Sequence, residues 1–487
     1  MRFDVAVVGS GFAGSILARA LTVAGRKVVS IDPRPHPRFA IGESSTPIAD
    51  EMLRRLGRRF DHDRLVRMSR WGTWTDALPA TAGGLKRGFS YYRHRRGEAY
   101  AEAEPGESSM LIAASASDAI GDTHWHRSAV DAALHRDAIA AGVTDATGWR
   151  VVDFRDGVGV DIEDASRDRR TVHADWIVDA GGRAGVLHRC SGRPDRTETL
   201  RTATACRFAH LRGVGSMSAI AGRPDDPFDG DDAAQHHWLG CDGWCWMLRV
   251  GGGITSVGRV WPAGPPGSGP PGTGPPGSGP SGSGPSGSGP SGSGPPGSGS
   301  ATGGDDLRCW PTLDGIVRDA QVVAPEGGWT TLDRVQFRGD VAFGRRTVAL
   351  PTAAATIDPM HSTGIAHALV GAERMIDLII GDGDVDRYVE TVNAEIDWID
   401  TMVAAAYDAG DDWDALARAV MSFIVAAIDT EERLQAGEAV TLFGVDDPAF
   451  RDAVRASLAG RPSALDRWNR AGLFKRADRR YAYTATK

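Results

Sequence analysis

The chain has no long apolar run, few cysteines and no excess of basic residues, and each shortage excludes a class of protein. No stretch of about 18 consecutive apolar residues occurs in its 487 residues, so a membrane-spanning helix is not expected. Five cysteines, an odd number in a long chain, argue against a disulfide framework. Lys and Arg total 55 against 63 Asp and Glu, without the basic stripe that nucleic acid binding requires. We therefore expect neither a membrane nor a nucleic acid as partner, and no bound metal.

Lysine is scarce within the basic residues. Only four of the 55 are lysines, at positions 27, 86, 475 and 487.

The N-terminus has no basic segment before an apolar stretch, so a secretory signal is not expected and the predicted compartment is the cytoplasm. At roughly 100–200 residues per domain, the length allows two to four domains. A hydrophobic fraction of 41% and a charged fraction of 24% are typical of a globular protein.

Residues 263–304 form a repetitive segment of Gly, Pro, Ser and Thr with a period of five. Glycine does not recur at every third position, which excludes a collagen triple helix. The segment lacks apolar side chains to offset the entropy of ordering, so a flexible insertion is predicted. It is either a partner-binding arm or an expanded repeat tolerated in a surface loop, and the second interpretation is favoured because loop-closure cost grows slowly with length.

Elsewhere the patterns predict a mixed α/β fold. Continuous β-prone runs at Phe3–Val8, Lys27–Ile31 and Asp175–Ala180 predict strands, and Ser15–Ala24 has helical spacing. Residues 154–173 predict short strands joined by turns, and residues 385–440 predict a helical C-terminal region.

The first chemical motif is a glycine-rich turn between a strand and a helix. Gly9 permits the tight turn, Gly11 lets a pyrophosphate approach the backbone, and Gly14 lets helix and strand pack closely. Asp32 ends the second strand eighteen residues after Gly14, where its carboxylate can bind a ribose. Together these features predict dinucleotide binding.

Three further segments show which dinucleotide is expected. They are Arg38 to Pro47, with the sequence RFAIGESSTP, Asp175 to Gly182, with the sequence DWIVDAGG, and Ile357 to Ile365, with the sequence IDPMHSTGI. With the glycine loop, they resemble the flavin-dependent halogenase branch of the FAD monooxygenases, over about residues 1–375. Geranylgeranyl reductases are more distant relatives.

The resemblance implies a Rossmann-like FAD-binding domain of the glutathione-reductase type, built from residues 1–60, 108–190 and 335–385. A sheet-based substrate domain of residues 61–107 and 191–334 is inserted into it and contains the repeat, and residues 386–487 form the helical C-terminal region. The implied FAD-binding residues are Gly9, Gly11, Phe12, Ala13, Gly14, Asp32, Glu43, Ser44, Arg127, Asp179, Gly181, Asp358, Gly364 and Ile365. Arg127 has an equally strong alternative, a salt bridge at the start of a helix.

The same resemblance implies a halogenase mechanism. The backbone of Thr363 and Gly364 matches the halide-binding segment of the family, at a helix N-terminus that favours anions. Reduced FAD, O2 and chloride or bromide would yield a hypohalous acid held by Lys86. Lys86 is the only lysine between residues 28 and 474, and its primary amine is a better nucleophile than a guanidinium. His361 stands where tryptophan halogenases place a glutamate, and it is the second candidate catalytic residue.

Two departures from the family pattern keep other functions open. The W-x-W-x-I-P signature is present only as Trp244 and Trp246, which leaves an FAD monooxygenase or reductase acting on a hydrophobic substrate as an alternative. Pro351 and Thr352 replace the usual Gly-Asp of the second FAD fingerprint, which leaves a catalytically degenerate flavin-binding protein as another. No second dinucleotide motif is present, so we expect a separate flavin reductase as partner. The expected substrate is an electron-rich aromatic, either free or tethered to a carrier protein, and the oligomeric state is left open.

Overall fold

The computed structural model describes residues 2–104, 106–222, 226–264, 307–381 and 383–461. The predicted flexible insertion lies outside the described residues from position 265 onward, as does the end of the predicted C-terminal region from position 462. Within the described ranges, no helix is long and apolar enough to cross a membrane.

The secondary structure alternates strands and helices up to the C-terminal region, which is helical. The strands are β1 (Arg2–Val8), β2 (Val28–Asp32), β3 (Gly83–Lys86), β4 (Gly88–Arg93), β5 (Ser109–Ala113), β6 (Asp122–Trp125), β7 (Thr144–Thr147), β8 (Arg150–Arg155), β9 (Gly159–Glu163), β10 (Arg169–Asp179), β11 (Thr204–Arg212), β12 (Ala234–Trp238), β13 (Trp244–Gly251), β14 (Ile254–Pro262), β15 (Gln321–Ala324), β16 (Thr330–Leu332), β17 (Phe337–Arg338), β18 (Thr347–Ala349) and β19 (Ala355–Thr356). The helices are α1 (Phe12–Val23), α2 (Pro47–Arg59), α3 (Asp63–Met68), α4 (Trp74–Ala77), α5 (Arg127–Ala140), α6 (Val186–Ser191), α7 (Ser218–Ala221), α8 (Pro311–Val317), α9 (Pro351–Ala354), α10 (Gly364–Ile380), α11 (Val385–Asp408), α12 (Trp413–Gln435) and α13 (Pro448–Leu458).

The first sheet has the strand order β7-β2-β1-β10-β9-β8, and β18 also pairs with β10. Strands β7, β2, β1, β10 and β18 are parallel, whereas β8, β9 and β10 form an antiparallel meander. Residues 5–8 of β1 are an unbroken, buried apolar run because helices pack against the sheet, as is typical of buried parallel strands. The predicted strands at Phe3–Val8 and Lys27–Ile31 and the helix at Ser15–Ala24 are confirmed to within three residues. The strand predicted at Asp175–Ala180 is also present, but it begins six residues earlier, at Arg169.

The second sheet has the order β15-β11-β14-β13-β12-β4-β5, with β16 also paired to β11. Its strands are antiparallel except for β4 and β12, which run in parallel. Strand β5 belongs to this sheet, although residues 108–190 were predicted to lie in the FAD-binding part. The apolar run of β5 does not reveal its partner, because sequence periodicity carries no information about which strand it will pair with.

The C-terminal region is helical, as predicted for residues 385–440. Helices α11 and α12 pack against each other, and α12 also packs against α2 of the N-terminal half. Residues 422–426 of α12 are all buried, so the middle of this helix is enclosed on every side rather than packed through one face. This docking brings α12 near β4 and β5 of the second sheet, where the three elements line the narrow cavity described below.

Candidate functional site

The glycine turn after β1 requires glycine for steric reasons at two of its three glycine positions. Gly9 has a φ of +108°, and a Cβ there would lie 2.6 Å from the carbonyl oxygen of Ala180. A Cβ on Gly14 would lie 2.1 Å from the carbonyl oxygen of Gly9. A Cβ on Gly11 would meet only Asp131 Oδ2, at an ordinary 3.7 Å. The fold therefore needs Gly9 and Gly14, whereas Gly11 leaves space on the surface where a pyrophosphate is expected.

Asp32 ends β2 beside this turn. Its Oδ2 accepts hydrogen bonds from Ser10 N at 2.9 Å and Ser10 Oγ at 3.1 Å, and its Oδ1 accepts one from Arg38 at 3.0 Å. Burial raises the pKa of Asp32, but the backbone amides of Ser10 and Arg34 and the charge of Arg38 bring it below the usual value. Asp32 is therefore ionised and held in place at the position expected for the ribose.

The segment after β2 brings two more predicted residues together. Glu43 is buried, and its Oε1 lies 2.8 Å from His210 Nε2 of the second sheet. Arg127, at the start of α5, donates to both carboxylate oxygens of Asp131 at 2.8 Å, and to the carbonyl oxygens of Ile41 and Gly42. Arg127 also lines the cleft that Glu43 lines, so both the ion pair and the cofactor contact predicted for it are compatible with its position.

The Asp-Pro segment leads into α10 and contacts strands β11 and β12 of the second sheet. Asp358 is buried, and its Oδ2 accepts hydrogen bonds from Thr204 Oγ1 at 2.6 Å and Tyr407 Oη at 2.9 Å. Burial raises its pKa to about 6, against the effect of these hydrogen bonds. The segment that follows, Thr363 and Gly364, forms the N-terminus of the 17-residue helix α10. Asp358 thus fixes the turn that presents this N-terminus.

A cleft of about 350 Å³, measured as the space open to the centre of a water-sized molecule, lies between these segments. The predicted residues that line it are Phe12, Glu43, Ser44, Arg127, Asp358, Thr363, Gly364 and Ile365. Further lining residues come from the second sheet and from α9, namely His236, Trp244, Trp246, Leu248 and Thr352 among others. The cleft begins at a Rossmann glycine turn and ends at a helix N-terminus, an arrangement that fits FAD.

Seven of the predicted cofactor residues do not line the cleft in the described part of the chain: Gly9, Gly11, Ala13, Gly14, Asp32, Asp179 and Gly181. Gly182 and Arg183, which follow Gly181, do line it. Asp179 is buried, and its carboxylate accepts hydrogen bonds from Gly181 N at 2.8 Å and Leu187 N at 2.7 Å. Asp179 therefore holds the loop between β10 and α6, and its direct contact with a cofactor stays a prediction.

A second, narrower cavity of about 40 Å³ by the same measure adjoins the cleft. Thr363 lines both spaces, so the two share a wall. The narrow cavity is mostly apolar, and its walls come from α2, the second sheet, α10 and α12. Its lining residues are Thr46, Pro47, Ile48, Phe89, Ile112, Ala113, Ala114, His361, Thr363, Ala366, Phe423, Ile424, Ala427, Ile428, Glu431 and Phe443.

Lys86 lies beside the lining of the narrow cavity and is fully buried. Its Nζ donates to the carbonyl oxygen of Ser45, lies 3.6 Å from Asp122 Oδ2, and is 4.0 Å from the ring centroid of Phe89. Burial lowers the pKa of Lys86, and the charges of Asp122 and Asp50 oppose this shift. Phe89 lines the narrow cavity, so one aromatic ring separates the amine from that space.

His361 lines the narrow cavity and stacks on Phe423, with ring centroids 4.2 Å apart and planes at 6°. Burial lowers its pKa to about 3, so the imidazole is neutral near neutral pH. Its Nδ1 is buried and makes no hydrogen bond with the described residues. A neutral ring nitrogen facing a cavity can bind a polar group of a ligand, but it does not supply a positive charge.

Sequence reasoning missed two parts of the site. The first is the wall contributed by α12, whose helical period was recognised but whose docking partner was not. The second is the carboxylate pair around Lys86. Asp122 lies opposite Lys86 in the ladder between β3 and β6, and burial raises its pKa to about 6. Burial together with the charge of Asp122 raises the pKa of Asp50 well above the usual value. No local sequence pattern identifies either residue, because strand pairing and packing bring both of them close to Lys86.

The fold resembles that of halogenases of known structure. Halogenase PltM, solved in complex with phloroglucinol and FAD, superposes with a TM-score of 0.77 at 20% sequence identity, covering 99% of this chain and 100% of that one. The chondrochloren halogenase CndH superposes with a TM-score of 0.57 at 19% identity, over 95% of this chain and 98% of that one. These likenesses establish the fold.

Sequence relatives narrow the class. Tetracycline 7-halogenase of Kitasatospora aureofaciens is 26% identical over 431 residues, which are 82% of this chain and 69% of the relative. The monodechloroaminopyrrolnitrin halogenase PrnC of Pseudomonas fluorescens is 25% identical over 441 residues, 85% of this chain and 70% of that protein. No protein-family model matches the chain. The resemblance to the flavin-dependent halogenases is confirmed, and the chain is an FAD-dependent, halogenase-like oxidoreductase.

Gly364 offers a direct test of what occupies the cleft. A Cβ at Gly364 would meet no protein atom within 4 Å, and it would point into open space beside the helix N-terminus. Gly364→Ala is therefore expected to fold normally, or to be stabilised by up to about 1 kcal/mol because alanine favours helix. Binding of FAD or of bromide should nevertheless weaken, since the methyl group takes up space at their predicted site. Thermal melting and titrations with each ligand measure the two effects.

The control is Gly315→Ala. Gly315 lies within helix α8, a Cβ there would also meet nothing within 4 Å, and the residue lines neither cavity. This variant should match the gain in stability without any change in ligand binding. Unchanged FAD and bromide affinities in Gly364→Ala would contradict the assignment of Gly364 to the binding surface.

Proposed function

We propose that the protein is a flavin-dependent halogenase that uses reduced FAD, O2 and chloride or bromide to halogenate an electron-rich aromatic compound. The observation that carries the proposal is the shared wall at Thr363. The cleft that fits FAD and the narrow apolar cavity meet there, and Lys86 lies against Phe89, which lines that cavity. This arrangement suits a reaction in which one site produces a small oxidant and another holds the organic substrate.

FAD would be held by the glycine turn, Asp32, Arg127 and the N-terminus of α10, and in its reduced form it supplies the electrons that activate O2 for oxidation of halide. The backbone of Thr363 and Gly364 would bind the halide, because the first amides of α10 and the helix dipole favour an anion. The mostly apolar lining of the narrow cavity excludes water and packs against an aromatic ring.

Lys86 would hold the resulting hypohalous acid. Because burial lowers the pKa of Lys86, a larger fraction of its amine is neutral than in a solvent-exposed lysine. The amine would reach the narrow cavity once the Phe89 ring, which now lies between them, moves aside. The aromatic carbon then forms a bond to halogen as the oxygen–halogen bond breaks, and the ring proton and hydroxide leave as water.

The proposed partners are a separate flavin reductase, which supplies reduced FAD, and a small aromatic substrate, free or tethered to a carrier protein. The strongest alternative is an FAD monooxygenase, which the incomplete tryptophan signature at Trp244 and Trp246 favours. Both tryptophans line the flavin cleft, so they stand where they could restrict access to the flavin.

The test is a reaction with purified protein, FAD, NADH and an added flavin reductase. Phloroglucinol, resorcinol and indole serve as acceptors, and the mixture contains chloride, bromide or neither. Mass spectrometry is expected to show a halogenated product whose isotope pattern follows the halide added, and no such product without halide. Hydroxylated products that form equally in all three mixtures would contradict halogenation and favour the monooxygenase. A visible flavin band that co-elutes with the protein checks FAD binding independently.

A further inference from the structure

Helix α12 carries a carboxylate into the narrow cavity. Ile424, Ala427, Ile428 and Glu431 all line it, and their spacing of three, one and three residues puts them on one face of the helix. Of the lining residues in the described chain, Glu431 is the only acid. The face is otherwise apolar, so Glu431 is an isolated acceptor at the edge of a hydrophobic surface.

The surroundings of Glu431 leave one carboxylate oxygen free for a ligand. Gln435 Nε2 donates to Oε1 at 2.8 Å, and Oε2 has no hydrogen bond with the described residues. No cation forms an ion pair with Glu431 among the described residues. A carboxylate that is half-buried beside apolar side chains is costly to keep without a second partner. A hydrogen-bond donor from a ligand would therefore stabilise the free Oε2 of Glu431.

The charged groups around Glu431 come from three elements. Glu51 and Arg54 belong to α2, Asp122 to β6, and Glu432 to α12 itself. Burial and, next, the negative charge of Asp122 together raise the pKa of Glu431 to about 7, while Arg54 opposes the shift. The group thus changes between a neutral acid and a charged acceptor near neutral pH.

We propose that Glu431 is the residue that binds the hydrogen-bond donor of the aromatic substrate, a ring hydroxyl or amine, and thereby fixes the orientation of the ring in the narrow cavity. The inference rests on the proposed function for the identity of this cavity. Apolar walls select a ring by its shape but do not set its rotation within the cavity. A charged acceptor selects a ring that carries a hydrogen-bond donor and also sets its rotation. A donor bonded to a carboxylate also makes the ring more electron-rich, which favours attack on an electrophilic halogen.

The probes are resorcinol, which carries two hydroxyl donors, and 1,3-dimethoxybenzene, which has the same ring and no donor. Binding to the full chain is measured by calorimetry, without turnover, for wild type and Glu431→Gln. At pH 8 we expect Glu431→Gln to weaken resorcinol binding about tenfold, as expected for loss of a charge-assisted hydrogen bond, and to leave dimethoxybenzene within about twofold. The control is Glu438→Gln, an exposed glutamate just beyond the end of α12.

The pH dependence adds a readout that a structural role would not move. Below the pKa of Glu431 the neutral acid is a weaker acceptor, so wild-type affinity for resorcinol should rise as pH increases through about 7. The affinity of Glu431→Gln should stay flat over that range. Thermal melting checks that the variant is folded.

Equal losses for both probes, or no loss for resorcinol, would overturn the assignment, as would failure of wild type to bind resorcinol. Matched halogenation assays separate this inference from the function on which it rests. If resorcinol binding depends on Glu431 but no halogenated product forms with any halide, then the proposed reaction is wrong and the binding role of Glu431 stands.

Discussion

Replacing Lys86 with alanine is expected to lower halogenation at least about 10²-fold, the size of effect produced by loss of a single positioned catalytic group. Lys86 provides a primary amine beside the narrow cavity, and its partners are backbone, ring and carboxylate groups: Ser45 O, the Phe89 ring and Asp122. None of these can form a bond to halogen as an amine can. FAD binding should persist, because Lys86 does not line the flavin cleft.

The measurement must separate lost chemistry from lost structure. Lys86 is fully buried and is 3.6 Å from Asp122, so its removal leaves a cavity and an uncompensated acid. Lys86→Met keeps most of the side-chain volume, and Asp122 can take up a proton because burial has raised its pKa to about 6. We expect Lys86→Met to fold and bind FAD but to be as inactive as Lys86→Ala. Lys27→Ala, a change near the protein surface, serves as control.

Product formation is followed with added reductase, and FAD affinity by quenching of flavin fluorescence. Substantial turnover in Lys86→Met would contradict the role of the amine. Full loss of FAD binding in both variants would show that the lysine supports the fold of the site. The loss of activity would then follow from lost FAD binding rather than from the missing amine.

The sequence predicts the parts of this site that depend on local patterns. A strand, a glycine turn, a helix and a second strand ending in Asp32 define the Rossmann unit, because each step is set by residues close together in the chain. The Asp-Pro turn before Gly364 likewise predicts the helix N-terminus that the structure shows. The helical period of the apolar residues in 385–440 predicts the helical C-terminal region but not what it packs against.

The rest depends on contacts between distant residues. Glu431 reaches the narrow cavity because α12 packs against α2, more than 350 residues earlier in the chain. Asp122 faces Lys86 because β3 pairs with β6, and β5 joins the second sheet because it pairs with β4. Neither periodicity nor motif spacing identifies pairing partners, so the charge environment of Lys86 and the wall of the narrow cavity become visible only in the fold.

Alanine substitutions in the glycine turn should also have large effects. At one position the loss should be in stability, and at the other it should be in FAD affinity. Gly14→Ala would place a Cβ 2.1 Å from the carbonyl oxygen of Gly9, within rigid backbone that cannot move aside. We expect this variant to be strongly destabilised, by about 1–3 kcal/mol or more, as for overpacked cores. Its thermal midpoint should fall sharply even in the absence of FAD.

Gly11→Ala should do the reverse. Gly11 has φ −64° and ψ 179°, a conformation that alanine adopts freely, and its Cβ would have an ordinary 3.7 Å contact with Asp131. As the N-cap residue of α1, it accepts alanine at a cost of about 1 kcal/mol or less. The apo protein should therefore stay folded, while FAD affinity falls at least about tenfold because the methyl group obstructs the pyrophosphate. Melting curves without FAD and FAD titrations separate the two variants. Wild-type FAD affinity in Gly11→Ala would show that the cofactor does not approach this turn, since nothing in the protein itself requires glycine there.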